Sequence, residues 1–544
     1  MSLAARTIRN VLSGPGLLLA GSAVLLFLLT FVLWPLVTAA ATPSLHVWQD
    51  VLAGSRWRQV AFSTLWLTAL STTSAITLGL VFALAVTKLR VPGWRYFAWV
   101  PLLGLFSPPF VGALAIILLF GRNGLITSQL LGLDVSLYGW HGVWFSQTLS
   151  FFPLAYMVLV GVLRRVPSSL EQAASGYGSG SLAVLRHVTL PLARPGILAA
   201  TLFVSLGVLS DFGTPMILGG RFRVLATEAY NRVTGWGDLQ GGAVLGLLLL
   251  VPALIIYFVQ ARFAAADRFA TVGGRGSFDA PLRTSGWGRG LVTGLCGAVT
   301  LVLVAKLGAI LVGGFATVWG FDYTPTLSHL NWLTTRSADL INTMQYALLA
   351  AVLGTVVSLF AAFLVHAVRV RGRGALDLLT LLPAAVPGTL LGIAFVLTFN
   401  TGPLKLTGTA AIIIITMTVG ALPTAYRICA AALQQVNRSL FEAASNLGAG
   451  WLAILRDLAV PLLRGPAGSA ATLLFIHSIG TLSAVIFVVA PGRNLASVSI
   501  LNLAEEGYWG GAAAIATVLM VLAGLVLLLA RLLLGRNFRP FESL

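Results

Sequence analysis

Glu442, followed by Ala443 and Ala444, and Gln172, followed by Ala173 and Ala174, are polar groups whose surroundings occur twice in this sequence. Each lies three residues after a serine, Ser439 or Ser169. That is capping-box spacing: the serine hydroxyl accepts from the amide three residues on, and the Glu or Gln side chain reaches back to the serine amide. Gly448 and Gly178 follow six residues later, suited to the left-handed residue that closes a helix. Apolar residues then recur a turn apart over 452–458 and 182–188, and Pro461 and Pro191 are expected to end this second short helix. The expected product is a helix-turn-helix at the membrane surface. Capping accounts for the Ser and Glu or Gln. A connection between antiparallel helices needs only ~2 to 8 residues, so about 30 residues kept at both places point to contact with a partner.

Other chemistry is sparse. A phosphate-binding P-loop needs a lysine after glycine, and none of the three lysines, Lys88, Lys306 and Lys405, follows one. The six histidines are scattered, with no His-Glu-x-x-His or comparable ligand cluster, so no metal site and no catalytic residues are expected. His366 and His477 fall in apolar runs, where an ionisable group either serves the transport path or bonds one helix to another. Cys296 and Cys429 lie within or beside such runs and read as buried small hydrophobes.

The elements that must carry these residues are membrane helices. Of 544 residues, 58% are hydrophobic and 9% charged, and the mean hydropathy is +0.93, far too apolar for a water-soluble globule. At ~20 apolar residues per spanning helix, there are about twelve candidates, near 17–38, 60–87, 98–120, 142–163, 196–219, 241–261, 291–318, 342–368, 376–399, 409–433, 467–490 and 511–534. The runs are continuous rather than alternating, so the fold class is all-α and not a β-barrel. The first run is too long for a signal-peptide core and reads as an uncleaved anchor. With the N-terminus cytoplasmic, most Lys and Arg gather on the inner side. The net charge of +18 then reflects anionic lipid rather than nucleic acid.

Duplication organises the chain. Pro153 and Tyr156 pair with Pro423 and Tyr426, Arg186 with Arg456, and Arg194 with Arg464, all 270 positions apart. Upstream, Ser63 and Thr64 match Asn342 and Thr343 at an interval of 279. The expected domains are a six-span unit over 1–263, a cytoplasmic linker over 264–289 and a second six-span unit over 290–544, related as parallel repeats.

The run Glu442-Ala443-Ala444, three residues, Gly448, nine residues, then Leu458, Val460 and Pro461 resembles the EAA loop of permease subunits of ATP-binding-cassette (ABC) importers. In the first half Ala173, Ala174, Gly178, Leu190 and Pro191 match, and Gln172 stands in the Glu place with Glu171 one residue early. The resemblance implies that each loop forms a coupling helix docking on a cytoplasmic ATPase. It further implies two ATPase copies per chain, ATP and Mg bound by those partners and no cofactor on this chain. A periplasmic or lipid-anchored binding protein would supply substrate, and the location would be the bacterial inner membrane with both termini cytoplasmic.

Ser210, Asp211, Gly213 and Pro215 form the most polar, helix-breaking stretch near a span's outer end. It reads either as a transport site built on a broken helix or as an ordinary span terminus. With His477, these are the pathway candidates. The stretch, followed by Leu218, Gly219, Gly220 and then Ala226 to Glu228, is similar to permeases of the ferric-iron branch, with thiamine, polyamine and phosphonate permeases as alternatives. Pro108, Pro109, Pro383 and Pro387 look like that branch's gate helices; plain kinks are the other reading. An ion-coupled secondary transporter is the rival class, but Asp211 is the one acid expected at membrane depth. A membrane enzyme lacks any nucleophile-base pair.

Overall fold

The apolar runs become helices because a bilayer offers backbone groups no partner outside the segment. The computed structural model describes residues 15–104, 107–266, 286–331, 337–368 and 370–535. Among these, eleven helices are long and apolar enough to cross a membrane. Spans 1 to 6 are Gly16–Ala41, Ser55–Thr87, Pro109–Leu130, Trp140–Arg165, Ser181–Leu209 and Leu239–Gln260. Spans 7, 8, 10, 11 and 12 are Gly286–Gly313, Ser337–Val368, Ala410–Gln435, Trp451–Ile479 and Trp509–Leu533. Span 9 is a broken pair, Arg373–Ala385 and Gly388–Phe399, bent by 112°. The expected linker over 264–289 lies outside the described residues except at its ends, which continue the helices of spans 6 and 7.

One expectation fails where prolines are concerned. Pro191 and Pro461 do not end a helix: each is the second residue of the helix forming the body of span 5 (Leu190–Leu209) or span 11 (Val460–Ile479). A π turn precedes each, Leu185–Thr189 and Ile454–Ala459. The wider turn re-registers the ladder at the residue that lacks an N–H, so the surface helix runs into the span. The third span of each half, whose prolines read as gate helices or plain kinks, is broken outright. Trp94–Leu103 stops before Pro108, and Pro109–Phe120 starts afresh, as Pro387 separates the two parts of span 9.

The halves superpose in their hydrogen bonds. Thr64 of span 2 accepts from the amide of Leu225 at 2.8 Å, and Thr343 of span 8 from that of Ala496 at 2.9 Å, each at the start of a short helix, Leu225–Trp236 or Ala496–Glu505. Tyr156 donates to the Ala98 carbonyl, while its counterpart Tyr426 donates to Asp377, which stands 279 positions after Ala98. Span 1 of each half crosses over: Gly16–Ala41 packs on spans 8 to 10, and Gly286–Gly313 on spans 2 and 3 and the helix Trp94–Leu103. Outside span 7, Ala316–Val318 (β1) and Asp322–Pro325 (β2) form a small antiparallel hairpin. Trp319 between them donates to the Leu118 carbonyl at 2.8 Å.

Candidate functional site

Both repeated segments fold as expected in outline and differ in how they begin. The first surface helix is Ser168–Gly176 and the second Arg438–Asn446. The second is capped by Asn437, whose side chain accepts from the Ser439 amide at 3.1 Å, and the first follows Pro167, with no side-chain cap bond at that position. The expected capping boxes at Ser439 and Ser169 are thus displaced. Each helix starts two residues earlier than those caps would place it, and these serines sit inside its first turn.

The helix ends are the same in both copies. The amides of Gly178 and Ser179 donate to the carbonyls of Ser175 and Ala174, and those of Gly448 and Ala449 to Ser445 and Ala444. This is the Schellman closure. Gly178 and Gly448 have φ of +85° and +84°, and an added Cβ would meet nothing within 4 Å at either. The requirement for glycine is therefore conformational, and Ala174 and Ala444 supply the carbonyl that the turn closes on.

Three large apolar side chains stand exposed on each segment at matched positions: Leu170, Tyr177 and Leu182 in the first, Leu440, Leu447 and Leu452 in the second. Tyr177 is 93% exposed and Leu447 89%. Gln172, Ala173 and Ala443 are exposed beside them, and Glu442, Ala174 and Ala444 are half-buried. Exposed apolar groups of this size mark surfaces that contact protein or membrane.

Glu171, the acid one residue early, turns inward. Its carboxylate accepts from Lys88 Nζ at 2.9 Å and from the Thr189 hydroxyl at 2.7 Å, with both charged side chains buried. Lys88 Nζ also reaches the Val166 carbonyl at 3.4 Å. Sequence reasoning missed this cluster. The signal available was Lys88 itself, a rare lysine closing span 2.

The pathway candidates gather where helices break. Asp211 lies between span 5 and the short helix Gly213–Leu218. It accepts from Gln147 Nε2 at 3.0 Å and from the Thr214 amide at 3.2 Å, and Gln147 accepts from Ser71 at 2.9 Å. Ser210 is half-buried beside it, and Pro215 is buried within the short helix. A Cβ on Gly213 would lie 2.6 Å from Phe110 and 3.3 Å from Leu482, and one on Gly480 3.0 Å from Pro108. The breaks of spans 3, 5 and 11 therefore touch across the two halves. His477 lies one turn before Gly480 and is exposed; His366 is instead in contact with Tyr426 and Gln434 at the far end of the second half.

Lys306 is a second ionisable group within a span. It is buried, bounds a small cavity with Ser107, Gly112 and Ser150, and makes no hydrogen bond or ion pair among the described residues. Among the described residues no three His, Cys, Asp or Glu side chains converge as a metal site would need.

The profile of the family described as binding-protein-dependent transport system inner membrane component matches twice, over residues 75–266 and 354–540. Among curated relatives, the chain is 32% identical to the ferric transport system permease protein FbpB of Actinobacillus pleuropneumoniae, over 85% of this chain and 69% of that one. It is 33% identical to the putative ferric transport system permease protein FbpB 1 of Haemophilus influenzae, over 76% and 67%. The probable ABC transporter permease protein y4fN of Sinorhizobium fredii is 26% identical over 94% and 95%. With one family match in each six-span half and a matched pair of surface helices at the same place in both, the chain belongs to the binding-protein-dependent transport system inner membrane components, as a fused two-copy permease of an ABC importer.

Proposed function

We propose that this chain moves ferric iron across the bacterial inner membrane, received from a periplasmic or lipid-anchored binding protein and driven by two copies of a cytoplasmic ATPase. The observation that carries the ATPase reading is the pair of surface helices with one geometry and the same three exposed apolar positions. Two matched sockets in one polypeptide fit two copies of one partner. The ferric substrate rests on the relatives named for ferric transport, with Asp211 at the helix breaks as an acid suited to a cationic passenger. The gathering of basic residues toward one side favours cytoplasmic termini.

In this reading Gln172, Ala173, Ala174 and Gly178, and Glu442, Ala443, Ala444 and Gly448, form the two docking helices. After the turns at 177–180 and 447–450, the helices that begin at Ser181 and Trp451 run through Pro191 and Pro461 into span 5 or span 11 without a further loop. ATP and Mg stay on the ATPases, and closure of the ATPase pair draws the two helices, and with them spans 5 and 11, together. Access would then change at the contact of Gly213, Gly480 and Pro108.

The test is ferric uptake by proteoliposomes holding the permease, its ATPases and the binding protein. Uptake should survive collapse of the proton gradient and stop when the ATPase P-loop lysine is replaced. Uptake indifferent to that lysine sinks the reading, and uptake of thiamine, a polyamine or a phosphonate in place of iron corrects the substrate.

A further inference from the structure

The buried cluster of Lys88, Glu171 and Thr189 ties together four elements that the proposed mechanism requires to move as one. Glu171 belongs to the first surface helix, Lys88 closes span 2, Thr189 stands in the π turn that opens span 5, and the Val166 carbonyl ends span 4. Each bond has a direction and a short reach: 2.9 Å from Lys88, 2.7 Å from Thr189, and 3.4 Å from Lys88 to Val166. Charge-assisted bonds of this kind are roughly twice as strong as neutral ones. A helix held by them at its first turn cannot tilt without moving the ends of spans 2 and 5 or leaving a buried charge unpaired.

The second half is built otherwise. At the same intervals that superpose Thr64 on Thr343 and Tyr156 on Tyr426, Glu171 is replaced by Phe441, Thr189 by Ala459 and Lys88 by Ala367. Phe441 and Ala367 are half-buried and Ala459 is fully buried against the core. Apolar packing has no preferred direction, unlike a hydrogen bond. The second helix therefore has no such clamp at the matched positions and keeps its acid, Glu442, in the family's Glu place. The first has a rigid seat and has its acid turned into its own transmembrane domain.

We propose that Lys88, Glu171 and Thr189 are positioning residues that transmit movement of the first docking helix to spans 2 and 5. The two sockets then divide the work: the first transmits by a polar clamp, the second by contact. This inference rests on the docking reading above. Its test keeps the two apart by scoring ATPase binding and coupling separately in the full reconstituted transporter.

Glu171→Gln and Lys88→Met should leave the ATPase co-purifying with the permease in unchanged ratio, while substrate moved per ATP hydrolysed falls ~2- to 30-fold, the range found for residues along a coupling path. The exchanged pair Lys88→Glu with Glu171→Lys should recover part of that loss, which a purely local packing defect would not do. The graft Lys88→Ala, Glu171→Phe, Thr189→Ala, copying the second half, guards against a variant that merely fails to fold. It should fold as well as wild type and couple better than Glu171→Gln, because apolar contact then serves both sockets. Wild-type stoichiometry in Glu171→Gln overturns the proposal, as does a folded graft that couples no better than Glu171→Gln. Loss of ATPase binding in Glu171→Gln also overturns it, by showing that the carboxylate serves the partner. A wild-type permease that binds no ATPase through these helices would instead overturn the docking reading.

Discussion

Replacing Asp211 by asparagine separates its charge from its place in the fold. The carboxylate accepts two hydrogen bonds, from Gln147 and from the Thr214 amide, and Gln147 accepts a third from Ser71. The oxygen of the substituted side chain can keep the Thr214 bond, but its new amide nitrogen then faces that of Gln147. If the Gln147 amide turns over, its oxygen accepts from that nitrogen and its own nitrogen donates to Ser71, whose hydroxyl can accept as readily as donate. All three bonds survive, two of them changed from charged to neutral. At ~1.5 to 3 kcal/mol for a bond to a charged group against ~0.5 to 1.5 for a neutral one, the loss is about 2 kcal/mol. The relieved desolvation of a half-buried carboxylate offsets part of this. Asp211→Leu, by contrast, leaves Gln147 and the Thr214 amide unpaired at ~1 to 3 kcal/mol each. Thermal unfolding of the purified protein should therefore rank wild type and Asp211→Asn close together and Asp211→Leu well below. If the charge serves a cationic passenger, ferric uptake by Asp211→Asn should still fall by ~10-fold or more, equivalent to ~1.4 kcal/mol in the barrier. Uptake at the wild-type rate by a well-folded Asp211→Asn would refute the pathway role and leave Asp211 as the residue that closes span 5. An Asp211→Asn less stable than Asp211→Leu would refute the hydrogen-bond reasoning.

Gly392→Ala places a Cβ 2.4 Å from the Ala484 carbonyl oxygen, a backbone atom that cannot turn aside. A stability loss of ~1 to 3 kcal/mol and slower uptake are expected, whereas Gly420→Ala, with nothing within 4 Å, should be neutral or slightly stabilising in a melting assay. Lys306→Met removes a buried ammonium that has no carboxylate partner among the described residues. Its melting temperature should equal or exceed that of wild type, since apolar replacement of buried charge is neutral or stabilising by ~1 to 4 kcal/mol; a lower one would reveal a partner. Glu442→Arg should weaken ATPase co-purification more than Gln172→Arg, because only the second socket presents an acid in that place; equal losses would assign Glu442 to local capping.

Much of the architecture was legible in the chain because the bilayer imposes it. Continuous apolar runs of spanning length have one stable outcome, and each expected run overlaps a spanning helix or, for span 9, the broken pair, though spans 5 and 11 begin well before the expected 196 and 467. The duplication was legible because the surface helices kept their spacing, and Gly178 and Gly448 were readable because the left-handed turn tolerates little else. Side-chain partners were less legible. Asn437, not Ser439, caps the second helix, since capping depends on which backbone amide lies within reach, and spacing alone leaves that open by two residues. The prolines misled because a π turn absorbs the missing N–H, and no simple sequence pattern announces a π turn. Glu171 looked like a near miss of the family motif. Its role depends on Lys88 and Thr189, distant in sequence and brought together only when spans 2 and 5 pack. Asp377, at the edge of an apolar run, is likewise explained only by Tyr426 across the interface.

The crossed first spans have a consequence for how the protein is made. Span 1 leaves the ribosome before any of spans 8 to 10, against which it packs, and spans 2 and 3 are made well before span 7, which covers them. Neither half can complete its lipid-facing wall from its own residues. During synthesis, the first six helices must wait in the bilayer with one side unfinished until the seventh arrives. Two half-chains encoded separately should therefore be unstable when expressed singly and accumulate when expressed together. Fusion into one polypeptide shortens the wait and ensures that each half meets the partner it is built to enclose.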